Sequence, residues 1–388
     1  SGKVTESEEA LDRALLESPD NAELRARMAS RKLMNGHIDD AQKLLDETPL
    51  GIDHSLLHVI EGRRHVACAY RQRDGTGQTD RALLSEAITA FNDALRLDRE
   101  SGVAWLGLAR TKRLISDYEG AQEDIARALR LLPSEDPSAA SEAALLALDL
   151  RDLSAASKHI EAAAIHGNSA TVHYVRGNIA TQNGSLDKAL MHYDEALTSD
   201  PSHIRARMNR SGILLALNEG RKVLDDCEIL LDLAPSLVLA RFRRAEGFMH
   251  LSEWENARDD LKMVLESSPH HYQALTKLGA CYLSLKRPER AEGPLNEAIR
   301  LNPNHAPAWH QRGLLYLDLK EPDAAFDDFQ AAIRCDGNHL DSRLHIAGSL
   351  HHQERHAEAA AAWRAVLAID PDSRVARTRL EHCEINLA

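Results

Sequence analysis

Residues 272–305, YQALTKLGACYLSLKRPERAEGPLNEAIRLNPNH, and residues 306–339, APAWHQRGLLYLDLKEPDAAFDDFQAAIRCDGNH, are two versions of one 34-residue pattern. Laid over each other, they align Gly279 with Gly313, Tyr282 with Tyr316, Ala291 with Ala325 and Ala298 with Ala332. The same step runs back from Pro303 through Pro269 and Pro235 to Pro201, and forward across Gly337 to Pro371. A fixed step of this length marks a repeat array. Eight units follow without insertion or deletion, beginning at Gly102, Asp136, Ala170, Ile204, Val238, Tyr272, Ala306 and Leu340.

Small residues recur at the eighth place of each unit: Ala109, Ala143, Gly177, Ser211, Ala245, Gly279, Gly313 and Ala347. A second series runs from Ala121 through Ala155 to Ala359, and a third, seven residues later, from Ala128 through Ala162 to Val366. Residues seven apart share one face of a helix, so each unit reads as two helices packed closely through these positions. Asn183-Gly184 and Asn218-Glu219-Gly220 supply the turn inside a unit. Proline or glycine ends the second helix, because proline lacks an N–H and glycine accepts the left-handed cap.

The pattern resembles the tetratricopeptide-repeat family. Residues 306–339 carry its motif as Trp309, Gly313, Tyr316, Ala325, Phe329 and Ala332, and residues 272–305 as Leu278, Gly279, Tyr282, Ala291, Leu295, Ala298 and Pro303. Arg210, Arg244 and Arg312 depart from it where leucine is usual, and Cys227 where an aromatic is usual; these are expected to weaken single units. The resemblance implies an all-α fold, an α-solenoid of about ten helix-turn-helix units in a right-handed superhelix, with first helices lining a concave groove.

Outside the eight units, residues 1–21 read as a partial repeat or capping helix, which suggests a piece of a longer protein or a solitary cap. Residues 22–101 read as two degenerate units, and residues 374–388 as a closing helix. The second degenerate unit holds thirteen extra residues around Arg71–Asp80, expected to form a mobile projection or a lengthened first helix. Gly75 and Gly77 there are not followed by the Gly-Lys-Ser/Thr of a phosphate-binding loop.

Composition narrows the function. With aromatics at 4% of 388 residues, alanine and leucine must supply most of the packing. The net charge of −13 argues against a surface built to grip nucleic acid. No apolar run approaches a membrane span. Cys68, Cys227, Cys281, Cys335 and Cys383 form no CxxC pair and are odd in number, which favours free thiols and a reducing, cytoplasmic setting over a disulfide framework. No nucleophile elbow, Walker motif or dinucleotide fingerprint is present, so neither an enzyme nor a cofactor is expected. The histidines His345, His351, His352 and His356 invite a metal reading. However, His352 and His356 enclose no glutamate in the HExxH place, and no metal ligand set is expected.

Binding is the better expectation. Across the eight units the first fifteen residues carry net positive charge and the remaining nineteen are strongly acidic, so a groove lined by first helices would steer acidic partners inward. The sixth residues from residue 204 onward form a polar row, Asn209, Arg243, Lys277, Gln311 and His345, with Asn178 and Arg205 beside it. All can donate to a carboxylate or to peptide carbonyls. The family's carboxylate clamp would place Asn178, Asn209 and Arg243 around a peptide C-terminus, but Tyr174 and Leu239 stand in its two lysine places. The reading is a non-catalytic scaffold that binds a peptide or protein segment, acidic in character. The alternative is the substrate-recognition arm of a larger enzyme, such as a repeat-bearing glycosyltransferase.

Overall fold

The computed structural model describes residues 11–387 apart from 12, 20, 35–36, 48–53, 77–79, 134 and 166. Of the segment 1–21, residues 1–10, 12 and 20 therefore lie outside the described residues. The fold is an all-α solenoid of helix pairs, with no strand among the described residues. Contacts divide the chain into two units. One runs to Ile213 and includes Ile229–Leu239; the other comprises Leu214–Glu228 and Ala240 onward.

One repeat explains the rest. The first helix Ala306–Asp318 ends where Lys320 takes a left-handed backbone (φ 63°) and the Glu321 N–H returns to the carbonyl of Tyr316. This closure satisfies a carbonyl that the helix end would orphan. The second helix, Pro322–Cys335, begins with proline inside its first turn, where no N–H is needed. Equivalent left-handed residues are Ser116, Arg151, Gly184, Asn218, Ser252, Lys286 and Glu354, so a single turn geometry recurs with glycine at only one of these places.

A second bond ties many of the junctions, though not those with Ala139 or Leu275 at the fourth place, which offer no side-chain donor. The side chain at the fourth place of a unit donates to the carbonyl six residues upstream: Arg25 to Pro19 (2.8 Å), Trp105 to Arg99 (3.0 Å), Arg207 to Pro201 (2.8 Å) and Trp309 to Pro303 (2.8 Å). Arg343 reaches Gly337 at 2.9 Å and Arg377 reaches Pro371 at 2.7 Å in the same way. The proline that stops one unit thus offers its carbonyl to the next.

Packing follows the small-residue series, with one correction. In residues 136–169 the second helix starts at Leu153, and it buries Ala156, Ile160 and Ala163 while Ala162 is exposed. The expected pair Ala155 and Ala162 is therefore out of register by one. Pro137 delays the first helix to Ser138, and Asp152 caps the second by accepting from the Ala155 N–H at 2.9 Å. Most of the extra residues lengthen a helix: Ser55–Thr76 has 22 residues against 13 in Gly102–Leu114, and residues 77–79 lie outside the described residues. Toward the C-terminus, Arg374–Ile385 packs Ala376, Leu380 and Cys383 against Trp363 and Val366.

At Gly279 and Gly313 the two helices of a unit approach closely. A Cβ at Gly279 would lie 2.5 Å from Leu295 Cγ, and one at Gly313 2.6 Å from Phe329 Cε1. Leucine at either place is expected to cost about 1–3 kcal/mol by overpacking. The check is a lowered urea midpoint at unchanged denaturant slope; a midpoint equal to the parent's would mean the crossing can open.

Candidate functional site

The structure gives the sequence-derived residues different fates. Asn178 and Asn209 are joined directly, Asn209 Nδ2 donating to Asn178 Oδ1 at 2.8 Å, and the Tyr193 hydroxyl donates to the same oxygen at 2.8 Å. Both amides are half-buried and bonded within the protein. Arg205 lays its guanidinium over the ring of Tyr70, 3.6 Å from the centroid. The lengthened helix Ser55–Thr76 carries that tyrosine.

In the second unit Lys277 is paired with Glu246 at 3.0 Å and lies 5.9 Å from the Phe242 ring. Gln311 is half-buried. His345 stacks on Phe329, ring centroids 4.7 Å apart at 9°, and burial pushes its pKa down, with Asp341 opposing. Beside it, His310 is held at about 4 by burial and then by His339 and His345, so it is neutral at neutral pH. Arg243 differs from its neighbours. Its Nε is sealed from solvent without a hydrogen-bond partner, whereas Arg244 forks onto Asp260 at 2.7 and 2.7 Å.

That fork corrects the reading of the arginines that stand in for leucine. Arg312 grips Asp328 in the same bidentate manner at 2.7 and 2.8 Å, and Arg210 meets Asp194 at 2.6 Å. Asp260 and Asp328 are buried. These positions exchange an apolar contact for a charge-assisted one, so they need not weaken their units.

Sequence reasoning missed a cavity in the first unit. About 290 Å³ in volume, it is lined by Arg63, Val66, Tyr70, Leu106, Arg110 and Ser138 of first helices, with Phe91 of the second helix Arg81–Leu97 closing one side. Burial and then the charge of Arg110 lower the pKa of Arg63, with Asp136 opposing. Arg110 is committed to Glu142 at 2.9 Å, which Arg113 also holds at 2.7 Å. No motif marks this pocket, because its residues come from helices far apart in the chain.

Of the histidine cluster, His351 lies against Cys383 Sγ at 3.2 Å and 5.0 Å from the His382 ring, and His356 is 6.2 Å from that ring. Burial raises the pKa of Cys227 and Cys281 to about 12, which keeps them as thiols.

Two family models, each described as tetratricopeptide repeat, match residues 1–55 and 249–312 in one case and residues 141–219, 295–339 and 310–374 in the other. The chain belongs to the tetratricopeptide-repeat family. No curated protein matches it. Among solved structures, the APC/C hetero-tetramer Cut9-Hcn1 is similar at a TM-score of 0.55 and 14% identity, over 98% of this chain and 87% of that chain. A tetratricopeptide repeat protein from Parabacteroides merdae ATCC 43184 gives 0.41 and 16%, over 75% and 99%. YrrB, described as a TPR protein with an unusual peptide-binding site, gives 0.36 and 21%, over 48% and 96%. At these identities the likeness concerns the fold alone. No described helix is long and apolar enough to cross a membrane.

Proposed function

We propose that the chain is a non-catalytic interaction scaffold that holds an acidic peptide or protein segment against its first helices. The observation that carries this reading is Arg243. A half-buried guanidinium whose Nε finds no hydrogen-bond partner in the chain is costly, and a carboxylate or carbonyl of a bound segment that reached its terminal nitrogens would offset part of that cost. In the first unit, taken by itself, Arg63 lines a cavity with its charge opposed by Arg110, a second place suited to an acidic group. Lys277 contributes less than its place in the row suggests, because Glu246 already neutralises it. In the first unit the lining is the braced amide pair Asn178 and Asn209 with Arg205; in the second it is Arg243 with Gln311 and His345.

The test is an array of acidic and matched neutral peptides probed with the wild-type chain and with Arg243→Glu and Arg63→Glu. Wild type is expected to retain acidic peptides and to lose them as salt rises, because the contacts are partly exposed. Each variant is expected to lose them at unchanged helical circular dichroism. Equal retention of acidic and neutral peptides, or retention by both variants, would overturn the reading.

A further inference from the structure

Where the fourth place does carry a polar donor, one unit uses it differently. His173 occupies the fourth place of its repeat, where Trp105, Arg207, Trp309 and Arg343 each donate to the carbonyl six residues upstream. His173 turns instead to the second helix of its own unit, Leu186–Ser199. Its Nδ1 lies 2.8 Å from Glu195 Oε2, and His192 Nδ1 lies 3.0 Å from the same oxygen. Three donor atoms, one from each side chain, fall within 4.8 Å of one another.

As a hydrogen-bonded trio the arrangement is incomplete. His192 is aligned to bond with the carboxylate, but His173 is 9% exposed and its buried Nδ1 lacks the alignment a hydrogen bond requires. That nitrogen meets the carboxylate as a close ion-pair contact and not as an aligned hydrogen bond, which leaves its bonding capacity only partly used. Two imidazoles and one carboxylate are a ligand set that zinc favours where it keeps a position open, with bonds of about 2.0–2.2 Å. Such bonds place tetrahedral ligands roughly 3.4 Å apart, so the two histidine–glutamate separations need to open by only about half an ångström, while the three donor atoms lie within 4.8 Å of one another. His192 at i and Glu195 at i+3 share a helix face, which presents both to one point.

We propose that His173, His192 and Glu195 bind a divalent transition-metal ion of zinc's class, leaving an open coordination position toward solvent. The Glu195 side chain is 44% exposed, so that position is reachable by water or by a carboxylate or imidazole of a bound chain. The site is independent of the acidic-peptide reading, since neither Arg243 nor Arg63 takes part.

Protein stripped with EDTA and dialysed is titrated with ZnCl2 by calorimetry and with CoCl2 by visible absorption. One Zn2+ per chain is expected, with intense Co2+ bands of low coordination number and a melting temperature that rises with Zn2+. His192→Ala and Glu195→Gln, both at partly exposed positions, are expected to keep the helical spectrum and to weaken Zn2+ binding roughly tenfold or more. His351→Ala, in the other histidine cluster, is expected to bind as wild type does. The proposal is overturned by absence of Zn2+ uptake, by undiminished affinity in Glu195→Gln, or by loss of binding in His351→Ala in place of the trio variants.

Discussion

Glu142→Ala is expected to destabilise the first unit by about 4 kcal/mol, the scale for leaving a buried charge without its partner. Glu142 is 1% exposed and lies between Arg110 and Arg113, whose side chains are 43% and 9% exposed. Without the carboxylate, Arg110 can turn to water. Arg113 keeps Asp149 at 2.8 Å but remains enclosed, and it carries most of the loss. Burial raises the Glu142 pKa, but Arg110 and then Arg113 lower it by more, so it falls below the ordinary 4.5. A carboxyl whose folded pKa is the lower stabilises fully above the unfolded value and ceases to do so as pH falls through the folded one. Wild type and variant should therefore differ at neutral pH and converge in acid. The measurement is urea unfolding at neutral and acidic pH, with amide exchange over residues 102–149 to localise the loss. A difference that persists unchanged in acid would assign the effect to packing.

The next largest effect is expected at Asp328→Ala, about 3 kcal/mol, because Arg312 would lose both arms of its fork. Arg312 retains Asn296 at 2.8 Å and the ring of Trp309 at 4.9 Å, which places the loss below that at Glu142. A double variant, Arg312→Leu with Asp328→Leu, should recover most of it, since an apolar pair of suitable volume replaces a buried ion pair at little cost. The coupling read from the four-member cycle decides the matter. A double variant as unstable as the sum of the singles would mean that the two residues act separately.

The 34-residue step made the helix pairs legible because it is a statement about spacing, and spacing is local. The register within 136–169 was ambiguous for a physical reason: Ala143-Ala144, Ala155-Ala156 and Ala162-Ala163 let two frames bury equivalent methyl groups. Pro137 and the cap at Asp152 choose between them, and both are visible in the sequence once their weight is known. The arginines at 244 and 312 could not be paired in advance, since their carboxylates stand sixteen residues away across a turn. Arg205 and Tyr70 were further out of reach, joined only by the fold. His192 and Glu195 did offer a cue in their i, i+3 spacing, but His173 acquires meaning only beside the other fourth-place residues.

Those fourth-place bonds bear on how such an array can drift. Tryptophan and arginine share neither charge nor shape, yet from this place each donates to the equivalent carbonyl six residues upstream. Where the donor is kept, the position behaves like a codon with two synonyms; Ala139 and Leu275 leave it blank. Scored for aromatic character it looks eroded; scored for donor reach, it still spells the same joint.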